Sequence, residues 1–253
     1  MSTATATHPT ERFASQTHMG TLELLVRDMD TMLDFYTEGV GLVPMSHENG
    51  TVILGMPDPM RESLREVVRL SEARDLRPAG PGQAGLFHTA IVFQDKVMLS
   101  RALLAMFARY SQLFTGTGDH WVSQAFYFSD PEGNGVELYW DRPRDQWRWV
   151  NGTVQMGTDW IDPAQFMRDA LIGQEPESSE PPVGELGHVH LQVGDVATAR
   201  DFYVDALGFD QTATLGRSAL FVSAVGTRMS TTPRPRVFTR LPAPREFHTF
   251  MAM

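Results

Sequence analysis

The 253 residues are 42% hydrophobic and 21% charged, the balance of a globular chain with a buried core, which excludes a wholly disordered one. Asp and Glu number 31 against 21 Lys and Arg, and the net charge of −10 argues against nucleic acid or an anionic membrane as partner and for a small molecule. With no cysteine, disulfides, thiolate metal sites and a cysteine nucleophile are excluded, and a reducing compartment fits.

Residues 1–16 are polar, rich in Thr and Ala, and without the apolar centre of a signal peptide, so a disordered tail is expected there. No apolar run reaches the roughly 18 residues of a membrane-spanning helix, and the expectation is a cytoplasmic protein with no membrane partner. From residue 17 the chain repeats itself. Leu24-Leu25-Val26-Arg27-Asp28 and Asp34-Phe35-Tyr36-Thr37-Glu38-Gly39-Val40-Gly41-Leu42 return as Leu191-Gln192-Val193-Gly194-Asp195 and Asp201-Phe202-Tyr203-Val204-Asp205-Ala206-Leu207-Gly208-Phe209, at a constant offset. Each copy reads as a strand, an Asp placed to cap a helix, then a helix ended near a glycine. Phe35-Tyr36 and Phe202-Tyr203 fall at helical spacing toward a core.

A third, more divergent copy starts at Phe87-His88-Thr89-Ala90-Ile91-Val92-Phe93-Gln94-Asp95. A helix is predicted over about 98–110 and strands over 112–115, 122–128 and 136–139, with the turn Asp130-Pro131-Glu132-Gly133-Asn134-Gly135 before the last. The unit is strand, helix, three strands, and the fold class is α+β with repeated βαβββ modules. Aligning the three capping Asp residues places Thr21, His88 and His188 at one equivalent position. Residues 17–145 are assigned to a first domain of two modules and 146–183 to a linker with a short helix over 163–172. Trp140, Trp147 and Trp149 read as packing between modules. Residues 184–224 begin a second domain, and 225–253 form a basic, Pro-rich tail of different character, with five Arg against one Glu.

Two such modules facing each other would enclose a cup. His88 on a first strand and Glu137 on a last strand of one module are then within reach of a common metal ion, two-thirds of a facial triad. The run 118–143, with Gly118-Asp119-His120 and Phe126-Tyr127-Phe128-Ser129-Asp130-Pro131-Glu132-Gly133-Asn134-Gly135-Val136-Glu137, resembles the vicinal oxygen chelate superfamily. More narrowly it is similar to the catechol 2,3-dioxygenase-like extradiol branch. Thr17-His18-Met19-Gly20, Gly85-Leu86-Phe87-His88 and Gly187-His188-Val189-His190-Leu191 add to the match, which covers about residues 17–224.

The resemblance implies Fe(II), or less often Mn(II), held by two His and one Glu, with a small aromatic diol and O2 as substrates. His88 and Glu137 match two ligand positions, Tyr127 a tyrosine that hydrogen-bonds substrate oxygen, and His120 an acid or base beside the ligands. The third ligand stays open. Module one offers Thr21, or His18 if the register shifts; His188 serves if modules two and three, or two chains, pair. Family members also continue past Ser223 with a His-rich strand and a fourth module, whereas this sequence turns to a different composition. A module three without its partner would favour a homo-oligomer. A glyoxalase-like or thiol-transfer enzyme, or a metal-free or inactive binding protein of the same fold, are the alternative functions.

Overall fold

A computed structural model of the chain describes residues 17–58, 61–80, 82–150, 153–174, 180–224 and, as backbone alone, 248–252. The expectations for residues 1–16 and for most of the Pro-rich tail lie outside these residues.

Module one begins with β1 (Leu22–Val26), whose alternation buries Leu24 and Val26. Asp28 then caps α1 (Met29–Asp34), its side chain accepting from the Thr31 N–H, and a π-helical turn (Phe35–Gly39) continues it. Gly41, at φ +89°, supplies the left-handed residue that ends the helix. β2 (Val43–Glu48), β3 (Thr51–Pro57) and β4 (Leu64–Glu72) complete a sheet of order β1-β4-β3-β2, with β1 parallel to β4.

Module two repeats the plan with β5 (Gly85–Phe93), α2 (Lys96–Tyr110), β6 (Phe114–Asp119), β7 (Ser123–Ser129) and β8 (Gly135–Asp141). Asp95 caps α2, whose buried Leu99, Ala102, Leu103 and Met106 follow helical spacing and face the sheet. Phe35 of module one meets Tyr110 edge-on at 5.1 Å, and Gly39 leaves room for Met106, so the helices of the two modules pack on one another. The turn before β8 locks this arrangement. Glu132 accepts from the backbone N–H groups of Arg27 and Asp28 and pairs with the Arg27 side chain at 3.2 Å, and the Tyr36 hydroxyl donates to buried Asp130.

The segment assigned as linker is folded onto module two. Two short strands, β9 (Trp149–Val150) and β10 (Thr153–Val154), precede α3 (Pro163–Leu171), which Asp162 caps and which packs on α2 through Phe166. Module three then supplies β11 (Gly184–Val193), α4 (Val196–Arg200) with a π-helical continuation (Asp201–Ala206), β12 (Asp210–Leu215) and β13 (Ala219–Ser223). A last strand, β14 (His248–Ala252), fills the fourth-strand place between β13 and β11. It runs antiparallel to β11, whereas β4 and β8 run parallel to their first strands. The order of a module is kept and the direction of one strand is inverted.

The sheets do not follow sequence order in grouping modules. β5 and β11 pair antiparallel, so modules two and three share one eight-stranded sheet, β12-β13-β14-β11-β5-β8-β7-β6, and module one keeps a sheet of its own. Modules one and two, expected to form a first domain, are joined by packing and not by a common sheet. Their helices, not their first strands, are what they share. A correction concerns Phe202, which is 54% exposed because no helix of another module lies across α4 among the described residues.

Candidate metal centre

Strand alternation sorts the residues of the large sheet onto two faces. Ile91, Phe93, Phe126, Phe128, Val136 and Leu138 enter the main core, while His88, Ala90, Tyr127, Glu137 and Tyr139, one position out of step, face the opposite side. On β11 a bulge at Gly187 resets the register, placing His188 opposite Ala90 and His190 opposite His88. Glycine is required at the bulge because a Cβ there would run into the Tyr139 hydroxyl. Gly135 plays the same part under His88, where any side chain would meet the Phe87 carbonyl.

The result is a triad drawn from two modules. His88 Nε2 lies 3.0 Å and His188 Nε2 3.3 Å from Glu137 Oε2, the two imidazole nitrogens are 3.4 Å apart, and all three side chains are buried. Neither Glu137 oxygen has a hydrogen bond among the described residues. Burial would raise its pKa, but His188 and His88 outweigh that and hold the carboxyl well below the usual range. Burial pushes His88 down, toward the neutral form. His188 can give its Nδ1 proton to the Tyr139 oxygen at 3.4 Å, which leaves Nε2 its lone pair. A buried carboxylate facing two imidazole nitrogens is a donor set for a divalent cation, and its ligand atoms all lie within 4.8 Å of one another.

His120 and Tyr127 form a second pair beside it. A carbonyl oxygen only accepts, so the 3.0 Å contact from His120 Nδ1 to Gly157 O fixes the proton on Nδ1, and Nε2 accepts from the Tyr127 hydroxyl at 2.9 Å. Burial lowers the His120 pKa and raises that of Tyr127 well above its ordinary value, with the charge of Glu137 adding to the latter. The neighbouring Trp121 sits at φ +69°, held by its N–H on Asp119 and its indole on Asp159 at 2.7 Å. Residues 157–159, from the supposed linker, therefore position His120.

A cavity of about 940 Å³ reaches the triad through His88 and is also walled by His120, Tyr127 and His190. Module one contributes Leu25 and Arg27 to its wall, and the stretch before β5 contributes Leu76 and Arg77. Of the sequence-derived candidates, His88, Glu137, His188, His120 and Tyr127 come together. His18 lies exposed ahead of β1, outside the group of three, and Thr21 donates to Glu66 at 3.1 Å on the surface of module one. Nothing in the sequence pattern singles out His190, although its spacing of two from His188 puts both rings on one face of a strand.

The model of the Glyoxalase/Bleomycin resistance protein/Dioxygenase superfamily matches residues 18–138 and 185–244. A catechol-2,3-dioxygenase of Bacillus subtilis (strain 168) is 36% identical over 217 residues, spanning 83% of this chain and 72% of that protein. Among solved structures, a glyoxalase/dioxygenase from Nostoc punctiforme aligns at 18% identity and a TM-score of 0.40, over 49% of this chain and 90% of its own. The chain belongs to the Glyoxalase/Bleomycin resistance protein/Dioxygenase superfamily.

Proposed function

We propose that the protein is an extradiol dioxygenase that opens the ring of a catechol with O2, using Fe(II), or Mn(II) in its place, held by His88, Glu137 and His188. The observation that carries the reading is the buried triad of two imidazoles and one carboxylate at the wall of a cavity large enough for an aromatic ring. The name of the Bacillus subtilis relative supports the reaction class. A metal held by His88, Glu137 and His188 would supply Lewis-acid and redox chemistry toward a catechol and O2.

The chain's own groups do the rest. Glu137 contributes the one negative charge of the set, and Tyr139 orients His188. A catechol must shed hydroxyl protons to chelate a cation. His120 Nε2 is the acceptor in the cavity wall, since its other nitrogen is committed to Gly157, and it takes a proton directly or through the Tyr127 hydroxyl. Once His120 Nε2 holds a proton it donates to the Tyr127 oxygen, and the Tyr127 hydroxyl, kept protonated by burial and by Glu137, is free to donate to a substrate oxygen.

Iron content of protein purified anaerobically with Fe(II), read alongside O2 uptake on adding catechol, tests the reading. About one iron per chain with uptake is expected. Iron without uptake would shift the reading to a glyoxalase-like isomerase, and no iron would leave a metal-free protein of the same fold.

A further inference from the structure

We infer that His190 is a substrate-contacting residue of this site, its imidazole donating a hydrogen bond to an oxygen of the catechol; the inference rests on the ring-cleavage reading above. The ring is 2% exposed, yet neither of its nitrogens has a hydrogen-bond partner among the described residues. A buried imidazole without partners is costly to keep, and the cost is recovered only if something enters the cavity to meet it. His190 stands in the wall of that cavity, and its orientation is fixed. The His88 ring lies edge-on to it at 4.6 Å and 85°, and the Phe87 ring is tilted against it at 4.5 Å.

Two facts separate this residue from the groups already assigned. The cluster of possible metal ligands comprises His88, Glu137 and His188 and does not extend to His190. Tyr127 and His120 satisfy each other across module two, whereas His190 enters from module three and is satisfied by no group among the described residues. A catechol presents two oxygens, and the cavity offers two polar sets from opposite modules, Tyr127 with His120 and His190. The role needs no change of charge, because a neutral imidazole always carries one N–H.

The test uses His190→Phe, which keeps the ring contacts with Phe87 and His88 but has no donor, and His190→Asn, which keeps an N–H. Should His190→Phe not fold, His190→Met removes the same donor without a ring. Iron content and calorimetric affinity for catechol are measured on the Fe(II)-loaded proteins without O2, with kcat and KM for catechol afterwards. Full iron in every variant is expected, with catechol affinity at least tenfold weaker in His190→Phe and within about threefold of the parent in His190→Asn. Parent-like catechol affinity in His190→Phe would overturn the inference and leave the dioxygenase reading standing. Loss of iron in both variants would overturn it by making His190 a ligand. A parent protein that holds iron but does not bind catechol would bring down both.

Discussion

Modules one and three carry the same motif and put it to different uses. Asp28 and Asp195 each cap a helix by accepting from a Thr N–H three residues on, each helix runs into a π-helical turn, and each ends at a glycine near φ +88°, +89° at Gly41 and +87° at Gly208. Local structure is thus written in the repeat. Burial is not. Phe35 and Tyr36 are fully buried because the π-helical turn after α1 packs on α2, while Phe202 in the same position is 54% exposed. The first strands diverge in the same way. β1 pairs with β4 and leaves Thr21 near the surface, whereas β11 pairs also with β5, which seals His188 against Glu137. What a repeated residue does depends on which module lies across from it.

The largest expected effect of breaking this comparison is on metal binding. His188→Ala should lower iron affinity by more than the 10- to 100-fold typical of losing an outer partner of a ligand. Thr21→His in that background should restore none of it, since position 21 faces Glu66 and not the cavity. Iron per chain after dialysis reads both, and recovery of iron by the double variant would mean that module one can stand in for module three. Stability comes next. Phe35→Ala should cost about 3–5 kcal/mol by emptying the core between α1 and α2, and Phe202→Ala within about 0.5 kcal/mol. Urea midpoints of the two variants give the difference directly, and equal losses would mean that α4 is covered in solution.

Those two comparisons also mark what could be read in advance. The three modules, the Asp caps, the Asp130 turn and the strand positions of His88 and Glu137 follow from short-range patterns, each of which a few neighbouring residues enforce, whereas Tyr127 and His120 stand out only through the family resemblance. The pairing of β5 with β11 does not, because strand edges a hundred positions apart choose each other through shape and burial that no local window contains. The strand expected over 112–115 lies instead at Phe114–Asp119, where Gly116 and Gly118 disguise its strand character. Gly157, the partner of His120, sits in the 146–183 segment assigned as linker, and only the folded chain brings it back.

Acid should separate the two halves of the molecule. Burial lowers the His120 pKa, and burial together with the neighbouring histidines brings His190 down to about 2, whereas His47 of module one is exposed. Below about pH 6.5 the unfolded chain takes up protons that the folded rings refuse, so stability is complete above that pH and falls as pH drops beneath it. For His190 the loss approaches about 1.4 kcal/mol per pH unit well below pH 6.5, and His120 adds to it in the same direction. Glu137, with its pKa held low, follows the same sign and adds a further acid loss that begins only in the lower, ordinary carboxylate range. Metal-free protein should therefore show a lower urea midpoint at pH 5.5 than at pH 8, with amide exchange rising first in β5 and β11. His120→Gln should flatten the dependence, and an unchanged slope would mean that the ring is not held neutral.

The smallest effect tests whether local structure alone holds α4. Asp195 accepts from the Thr198 N–H and hydroxyl, both at 2.7 Å, and Ala199 is the one buried residue of this short helix. Asp95 makes the equivalent bond to the Met98 N–H at 2.8 Å, but α2 is clamped along its length by Leu99, Leu103 and Met106. Asp195→Ala and Asp95→Ala should each cost about 1 kcal/mol of cap energy. They should differ in where the cost is felt. Hydrogen exchange should accelerate across Val196–Arg200 in the first variant through local fraying, and in the second should remain tied to global unfolding, because packing on the sheet holds the helix after its cap is gone. Equal local fraying in both would mean that the main core grips α2 less firmly than its burial implies, and that the difference between the repeats lies in the caps after all.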